Sequence, residues 1–313
     1  MNTIEVQAPG LFTTVQDLGR EGFGPMGVSP SGAADAVSLR LGNRLVGNAE
    51  GAAALEMTLV GGAFLFPQGA VIALSGSDFG ATLDGAPVGL WASAEVRPKQ
   101  TLRLGPTRSG ARCYLCVQGG IAVEPFLGSA STHVLSGLGG FEGRALRRGD
   151  VLRIGPGGGP FQRRSIDAKA LERLSPRKVL RVTPGPQSDW FPESSQRAFY
   201  GCAYRVAEAA NRMGLRLEGA PVPATAGREM ISEGVPLGAV QVPAGGQPII
   251  LFVEQQTTGG YPKIANVISA DFHSVGQLRP RDEIRFEPVE FETAQSLLRK
   301  RESLLVSEEL ILE

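Results

Sequence analysis

Short apolar runs separated by glycine, proline and polar turns recur along most of the chain, and their length and composition predict strands rather than helices. In the first half they fall at residues 4–6, 55–59, 63–66, 71–74, 81–83, 102–104, 113–117 and 151–154. The second half continues the pattern near Ile231 and at 238–242, 249–253 and 283–286, and the stretch 179–186 echoes 4–10, including its Pro-Gly. Three stretches break this rhythm. Ala33, Val37, Leu41 and Leu45 recur every four residues and predict a helix over about 32–46, with Ser31 as N-cap, Asp35 in the first turn and Gly47-Asn48 as the stop. Residues 166–174, capped by Ser165, and 293–310 have helical spacing as well. The expected fold class is therefore mainly β, with barrel- or sandwich-like sheets and a few short helices. The linker-like run 155–160, rich in glycine and proline, divides it into halves expected at 1–165 and 166–313.

Composition narrows the function. At 313 residues the chain can bury a sizeable core, and its 42 glycines and 22 prolines suit a fold built of many turns. Thirty-one basic residues balance 31 acidic ones, so no electrostatic footprint for nucleic acid or an anionic membrane exists. No apolar run approaches the length of a membrane span and no leader pattern opens the chain, which makes the cytoplasm the expected location. Cys113-x-x-Cys116 lies inside a predicted strand, where an odd offset puts the two thiols on opposite faces; both are expected to be core residues, not zinc ligands. His133 and His273 are too few for a histidine-rich metal centre, and neither accompanies a nucleophile elbow. No metal site is expected.

The chemistry concentrates in 248–268. An apolar strand, 249–253, leads into Glu254, Gln255, Gln256, Thr257 and Thr258, and Gly259-Gly260 then allows a tight turn or the close approach of a ligand. Between Gly234 and Leu278 the charged residues are Glu254, Lys263 and Asp271, so Lys263 reads as a lone, exposed cation whose removal leaves the fold intact. Its alternative is a solvated edge-strand lysine. The spacing is not that of a Walker A loop. Gln16, Asp17 and Arg20 crowd a second loop, where a carboxylate beside a guanidinium forms either a structural pair or part of a site.

Five ordered motifs then bear on the choice. They are Thr14-Val15-Gln16-Asp17-Leu18-Gly19-Arg20, Gly27-Val28-x-x-Ser31-Gly32-Ala33-x-Asp35, Asn43-x-Leu45-Val46-Gly47-Asn48, Gly128-Ser129-x-Ser131-Thr132 and Gln255-x-Thr257-Thr258-Gly259-Gly260-Tyr261-Pro262-Lys263. Together they resemble the allophanate hydrolase subunit 2 family, which includes the C subunits of 5-oxoprolinases and is also called the biotin-dependent carboxyltransferase family, over about 3–290. The resemblance implies two cyclophilin-like β-barrel halves and a subunit that, beside a B-type partner and an A-type subunit, opens 5-oxo-L-proline to glutamate with ATP and its Mg. It implies catalytic roles for Lys263, Arg20 and Asp17, and substrate contacts from Gln16, Thr257, Thr258, Gly259, Gly260, Tyr261, Ser129 and Ser131. Two departures qualify it. The chain has no Met-Lys-Met biotin attachment motif, so no covalently attached biotin is expected, and no recognisable nucleotide-binding motif, so ATP is expected to be bound unconventionally or by a partner. A carboxyltransferase-type subunit fed by carboxybiotin and a non-catalytic regulator that binds a B-type partner stand as alternatives.

Overall fold

The computed structural model describes residues 2–227 and 230–313. The chain is mainly β and forms two compact units. One comprises 1–20, 31–174 and 304–313, and the other 21–30 and 175–303. The sequence divides the chain with a single cut at 165/166, whereas these units interleave, the second taking a short segment from the N-terminal region.

The first unit is built from two antiparallel sheets. One runs in the order Ile121–Ala122, Val151–Ile154, Thr3–Ala8, Ala63–Phe66, Gln100–Arg103, Thr82–Leu83, Ala86–Pro87. The other runs Phe12–Gln16, Ala54–Thr58, Arg112–Val117, Ala70–Gly76, Ser93–Val96. Alternate residues of both sheets, among them Ile4, Val6, Phe64, Val15, Leu55 and Leu115, meet in one core. This is the inward alternation expected of a sandwich. Cys113 and Cys116 are both fully buried in Arg112–Val117, and burial pushes both thiols well above their ordinary range, so neither is a ready nucleophile or metal ligand.

The helix Ala36–Leu45 lays Val37, Leu41 and Leu45 into a second core of this unit. Its start differs from the expected one. Ser31 has φ of 55° and Gly32 of 92°, left-handed values that cannot begin a helix, so the cap falls to Asp35, whose carboxylate accepts from Ser38 N at 2.9 Å. A Cβ at position 32 would lie 2.9 Å from the Leu18 carbonyl, so both the backbone angle and the close approach require glycine. Two other helices shift similarly: Asp167, not Ser165, caps Ala168–Arg173, and the final helix is Phe291–Val306.

The second unit is a closed barrel of seven strands in the order Val179–Pro184, Lys263–Val267, Ala239–Gln241, Ile249–Leu251, Gly214–Glu218, Tyr204–Val206, Glu283–Pro288. Closure joins Val179–Pro184 to Glu283–Pro288 in parallel. A separate two-stranded ribbon pairs Glu233–Gly234 with Thr258–Gly259. Here two expectations change. Ile231 is not in a strand and is 90% exposed, and Thr258–Gly259 is a strand rather than a turn.

Candidate functional site

The candidate residues from the sequence divide between the units: Gln16, Asp17, Arg20, Ser129 and Ser131 fall in the first, and Thr257, Thr258, Gly259, Gly260, Tyr261 and Lys263 in the second.

In the first unit, strand Phe12–Gln16 delivers Asp17 to the loop 129–131. The Asp17 carboxylate accepts hydrogen bonds from Gly19 N (2.8 Å), Ser129 Oγ (2.6 Å), Ala130 N (2.6 Å) and Ser131 Oγ (2.5 Å). Its own N–H lies 3.0 Å from Ser131 Oγ. Arg20, also buried, donates through Nη2 to the Ser131 carbonyl and through Nε to the Phe126 carbonyl at 3.3 Å, with its guanidinium over the Phe126 ring. Gln16 donates to Thr14 Oγ1 (3.0 Å) and the Thr132 carbonyl (3.1 Å). The five residues thus form one buried knot that ties the 129–131 loop to the end of a strand. His133 closes the following turn, its Nδ1 accepting from Ser136 N at 3.2 Å.

The second cluster centres on Lys263. Its side chain is 1% exposed, so it is neither the exposed loop lysine nor the edge-strand lysine that the sequence suggests. The strand Lys263–Val267 is paired on both sides, with Val179–Pro184 and Ala239–Gln241, which removes the edge. Nor are the charges of this segment uncompensated: Glu254 meets Arg212, Asp271 meets Arg181, and Lys263 Nζ lies 2.5 Å from Glu233 Oε1. The Lys263 contact differs from the other two because Glu233 is 45% exposed. The Lys263 ammonium and then the Gln187 amide hold the Glu233 carboxyl below its ordinary range.

Several polar groups surround this pair. Gln187 bridges it, accepting from Lys263 N at 3.2 Å and donating to Glu233 Oε1 at 3.0 Å. Gln241 is the cross-strand partner of Lys263, which puts their side chains on one face of the sheet. A Cβ at Gly259 would come within 2.6 Å of Gln241 Nε2, so the bare glycine makes room for that amide. Gln255 donates through Nε2 to the Val235 carbonyl at 3.0 Å. Among the described residues Gln241 Nε2 and Gln255 Oε1 are buried without a hydrogen-bond partner, and no aligned hydrogen bond accompanies the charge contact of Lys263 Nζ. Thr257 contributes its carbonyl to Val235 N at 3.1 Å, while Thr258, Gly260 and Tyr261 are exposed.

Sequence reasoning singled out Lys263 and Gly259 and placed Gln255 in the same motif without a role, but missed Gln187, Glu233 and Gln241 as members of this cluster. Gln241 lies in a predicted strand, and only the register that sets it opposite Lys263 reveals its part. No cluster of His, Cys, Asp and Glu suited to a metal exists among the described residues.

The class follows from comparison with known proteins. The model of the carboxyltransferase domain, subdomain A and B, matches residues 26–288, and the chain belongs to that family. Among relatives, the C subunit of the Escherichia coli 5-oxoprolinase is 40% identical over 291 residues, 93% of each chain, and its counterpart from Haemophilus influenzae is 38% identical over 292 residues, again 93% of each. Among solved structures, the urea amidolyase of Kluyveromyces lactis superposes with a TM-score of 0.90 at 33% identity, covering 99% of this chain but 21% of that one. This chain therefore spans about a fifth of that larger enzyme.

Proposed function

We propose that this chain is the C-type subunit of an ATP-dependent 5-oxoprolinase and that the Lys263 cluster is its ligand site. One observation carries the reading: a buried ammonium faces a half-exposed carboxylate beside unpaired amide groups, in a chain that matches the C subunits of 5-oxoprolinases along nearly their whole length. The net change is hydrolysis of the lactam C–N bond coupled to hydrolysis of ATP. A five-membered lactam is a poor electrophile, and phosphorylation of its carbonyl oxygen by ATP would activate the carbon; water then adds, the ring nitrogen leaves as the amine, and the acyl phosphate so formed is hydrolysed to glutamate and phosphate. A preorganised cation such as Lys263 holds the substrate's anionic group in place while this occurs.

No cluster of acidic side chains among the described residues fits Mg, so the metal would enter with the nucleotide, and partner subunits would complete the ATP site. The Asp17 knot, with Arg20, Gln16, Ser129 and Ser131, acts by fixing the 129–131 loop. Three cysteines and dependence on ATP favour a cytoplasmic setting. No helix among the described residues is long and apolar enough to cross a membrane.

The test is reconstitution with A- and B-type partners and measurement of ATP-dependent glutamate release from 5-oxo-L-proline. Release that requires this chain is the expected result, and the chain alone should hydrolyse no ATP with 5-oxo-L-proline. Release that is the same without it overturns the proposal. The likeness to urea amidolyase supports a second reading, a carboxyltransferase subunit. In that case a carboxybiotin-bearing carrier protein, not ATP with 5-oxo-L-proline, would be turned over.

A further inference from the structure

Burying a polar group without a partner costs free energy, about 1–3 kcal/mol, so folded proteins seldom keep such groups without a use for them. The second unit keeps several among the described residues, Asn266 Oδ1 included, and two that adjoin the ribbon of Glu233–Gly234 and Thr258–Gly259 are of opposite kind. Gln241 Nε2 is a donor without an acceptor and Gln255 Oε1 is an acceptor without a donor among the described residues. The assignment of the Gln255 amide is fixed, because its other end donates to the Val235 carbonyl at 3.0 Å.

Both groups adjoin the same short ribbon. Glu233 reaches Lys263 Nζ, Val235 receives Gln255, and Gly259, opposite Glu233, makes room for Gln241 Nε2. Gln241 and Lys263 are opposed across paired strands. A buried cation, a hydrogen-bond donor and a hydrogen-bond acceptor thus all adjoin one two-stranded ribbon.

A ligand complementary to that set carries an anion, an acceptor and a donor. A small lactam bearing a carboxylate has all three. We infer that Lys263, Gln241 and Gln255 together recognise such a lactam: Lys263 takes its carboxylate, Gln241 Nε2 donates to its ring carbonyl and Gln255 Oε1 accepts from its ring N–H. This inference rests on the proposed function and names the residues that choose its substrate.

Glu233 is half exposed and can turn to water, so its carboxylate is the group an incoming carboxylate exchanges with. Discrimination follows from the two glutamines. L-proline has the carboxylate but no ring carbonyl, leaving Gln241 unpaired, and an N-methyl lactam has no N–H, leaving Gln255 unpaired. A site built to hydrogen-bond a group rejects the analogue lacking it, because its own buried atoms then stay unsatisfied.

The experiment uses Gln241→Leu and Gln255→Leu in two assays. In the first, the full chain is titrated with 5-oxo-L-proline, N-methyl-5-oxo-L-proline and L-proline. In the second, KM and kcat for glutamate release are measured in the reconstituted complex. The expected result is a rise of about tenfold or more in Kd and KM in each variant, equivalent to about 1.4 kcal/mol, with the melting temperature held or raised in Gln241→Leu and lowered in Gln255→Leu, which strands the Val235 carbonyl. A purely structural role predicts unchanged Kd and KM in both variants.

A complex that releases glutamate with wild-type KM in both variants overturns the inference and leaves the proposed function standing. So does a wild-type chain that binds L-proline as well as it binds 5-oxo-L-proline. Conversely, binding of 5-oxo-L-proline that depends on both glutamines, in a chain whose complexes release no glutamate, keeps the inference and overturns the proposed function.

Discussion

The two polar clusters are both buried, yet they differ in how their hydrogen bonds are filled. Around Asp17 the carboxylate is filled from within, by two serine hydroxyls and two backbone amides, although Gln16 Oε1 beside it has no partner among the described residues. Around Lys263 the chain leaves a donor and an acceptor unused and lets the counter-charge lie half in water. Charge alone does not separate a staple from a site. The exposure of the carboxylate does, since Asp17 is enclosed by the chain whereas Glu233 lies half in water.

Breaking the staple should have the largest effect on folding. Asp17→Ala strands the amides of Gly19 and Ala130 and the hydroxyls of Ser129 and Ser131, and a loss of about 3 kcal/mol is expected in urea unfolding. Normal stability with lost turnover would instead make Asp17 a catalytic group and erase the contrast.

Lys263→Met should do the opposite. Because Glu233 is half exposed and can turn to water, removal of its partner should cost under about 1 kcal/mol, whereas loss of the cation that positions the substrate lowers turnover by ~100-fold. Near-normal glutamate release from the reconstituted complex would remove Lys263 from the chemistry.

A subtler change sharpens the comparison within the second unit. Gly259→Ala introduces a methyl 2.6 Å from Gln241 Nε2 and 3.1 Å from Gln256 Nε2, both ends of flexible side chains that can swing away. The melting temperature should barely move, while KM rises several-fold as the Gln241 amide is displaced. Equal KM values would show that the position of that amide does not matter.

The smallest effect concerns pH. Because the Glu233 carboxyl is held low in the folded state, its contact with Lys263 adds stability above the ordinary glutamate value of about 4.3, and that contribution is lost as pH falls through the lower folded value. Half exposure and solvent screening keep it under about 1 kcal/mol. The stability gap between wild type and Glu233→Gln, measured by urea unfolding, should therefore close between about pH 6 and 3. A gap that widens on acidification would contradict the direction of the shift.

Much of the architecture was legible because strands announce themselves by local composition. The runs at 55–59, 63–66 and 113–117 fall on observed strands, and Cys113 and Cys116 are the core residues that their setting implied. Helix starts were read less well. Ser31 has the chemistry of a cap, but its left-handed backbone is imposed by the close approach of Gly32 to Leu18, which no local pattern encodes.

For the site, the sequence marked Lys263 by its isolation among neutral residues, yet isolation in sequence is not isolation in space. Glu233 sits thirty positions upstream and arrives through ribbon pairing. Gln241 and Gln255 look like ordinary polar residues until strand register and unpaired atoms show what they face.

The way the barrel closes sets an order of events during synthesis. Its opening strand, Val179–Pro184, pairs with Glu283–Pro288, so the ring stays open until residue 288 has left the ribosome. In the first unit the two sandwich sheets are complete by residue 154, but the separate pair Ser165–Ile166 and Ile311–Leu312 also forms late. Neither unit can be completed while the nascent chain is still short, and pairings this distant in sequence are slow to form. Until then the barrel keeps open strand edges, which makes the growing polypeptide a natural client for chaperones.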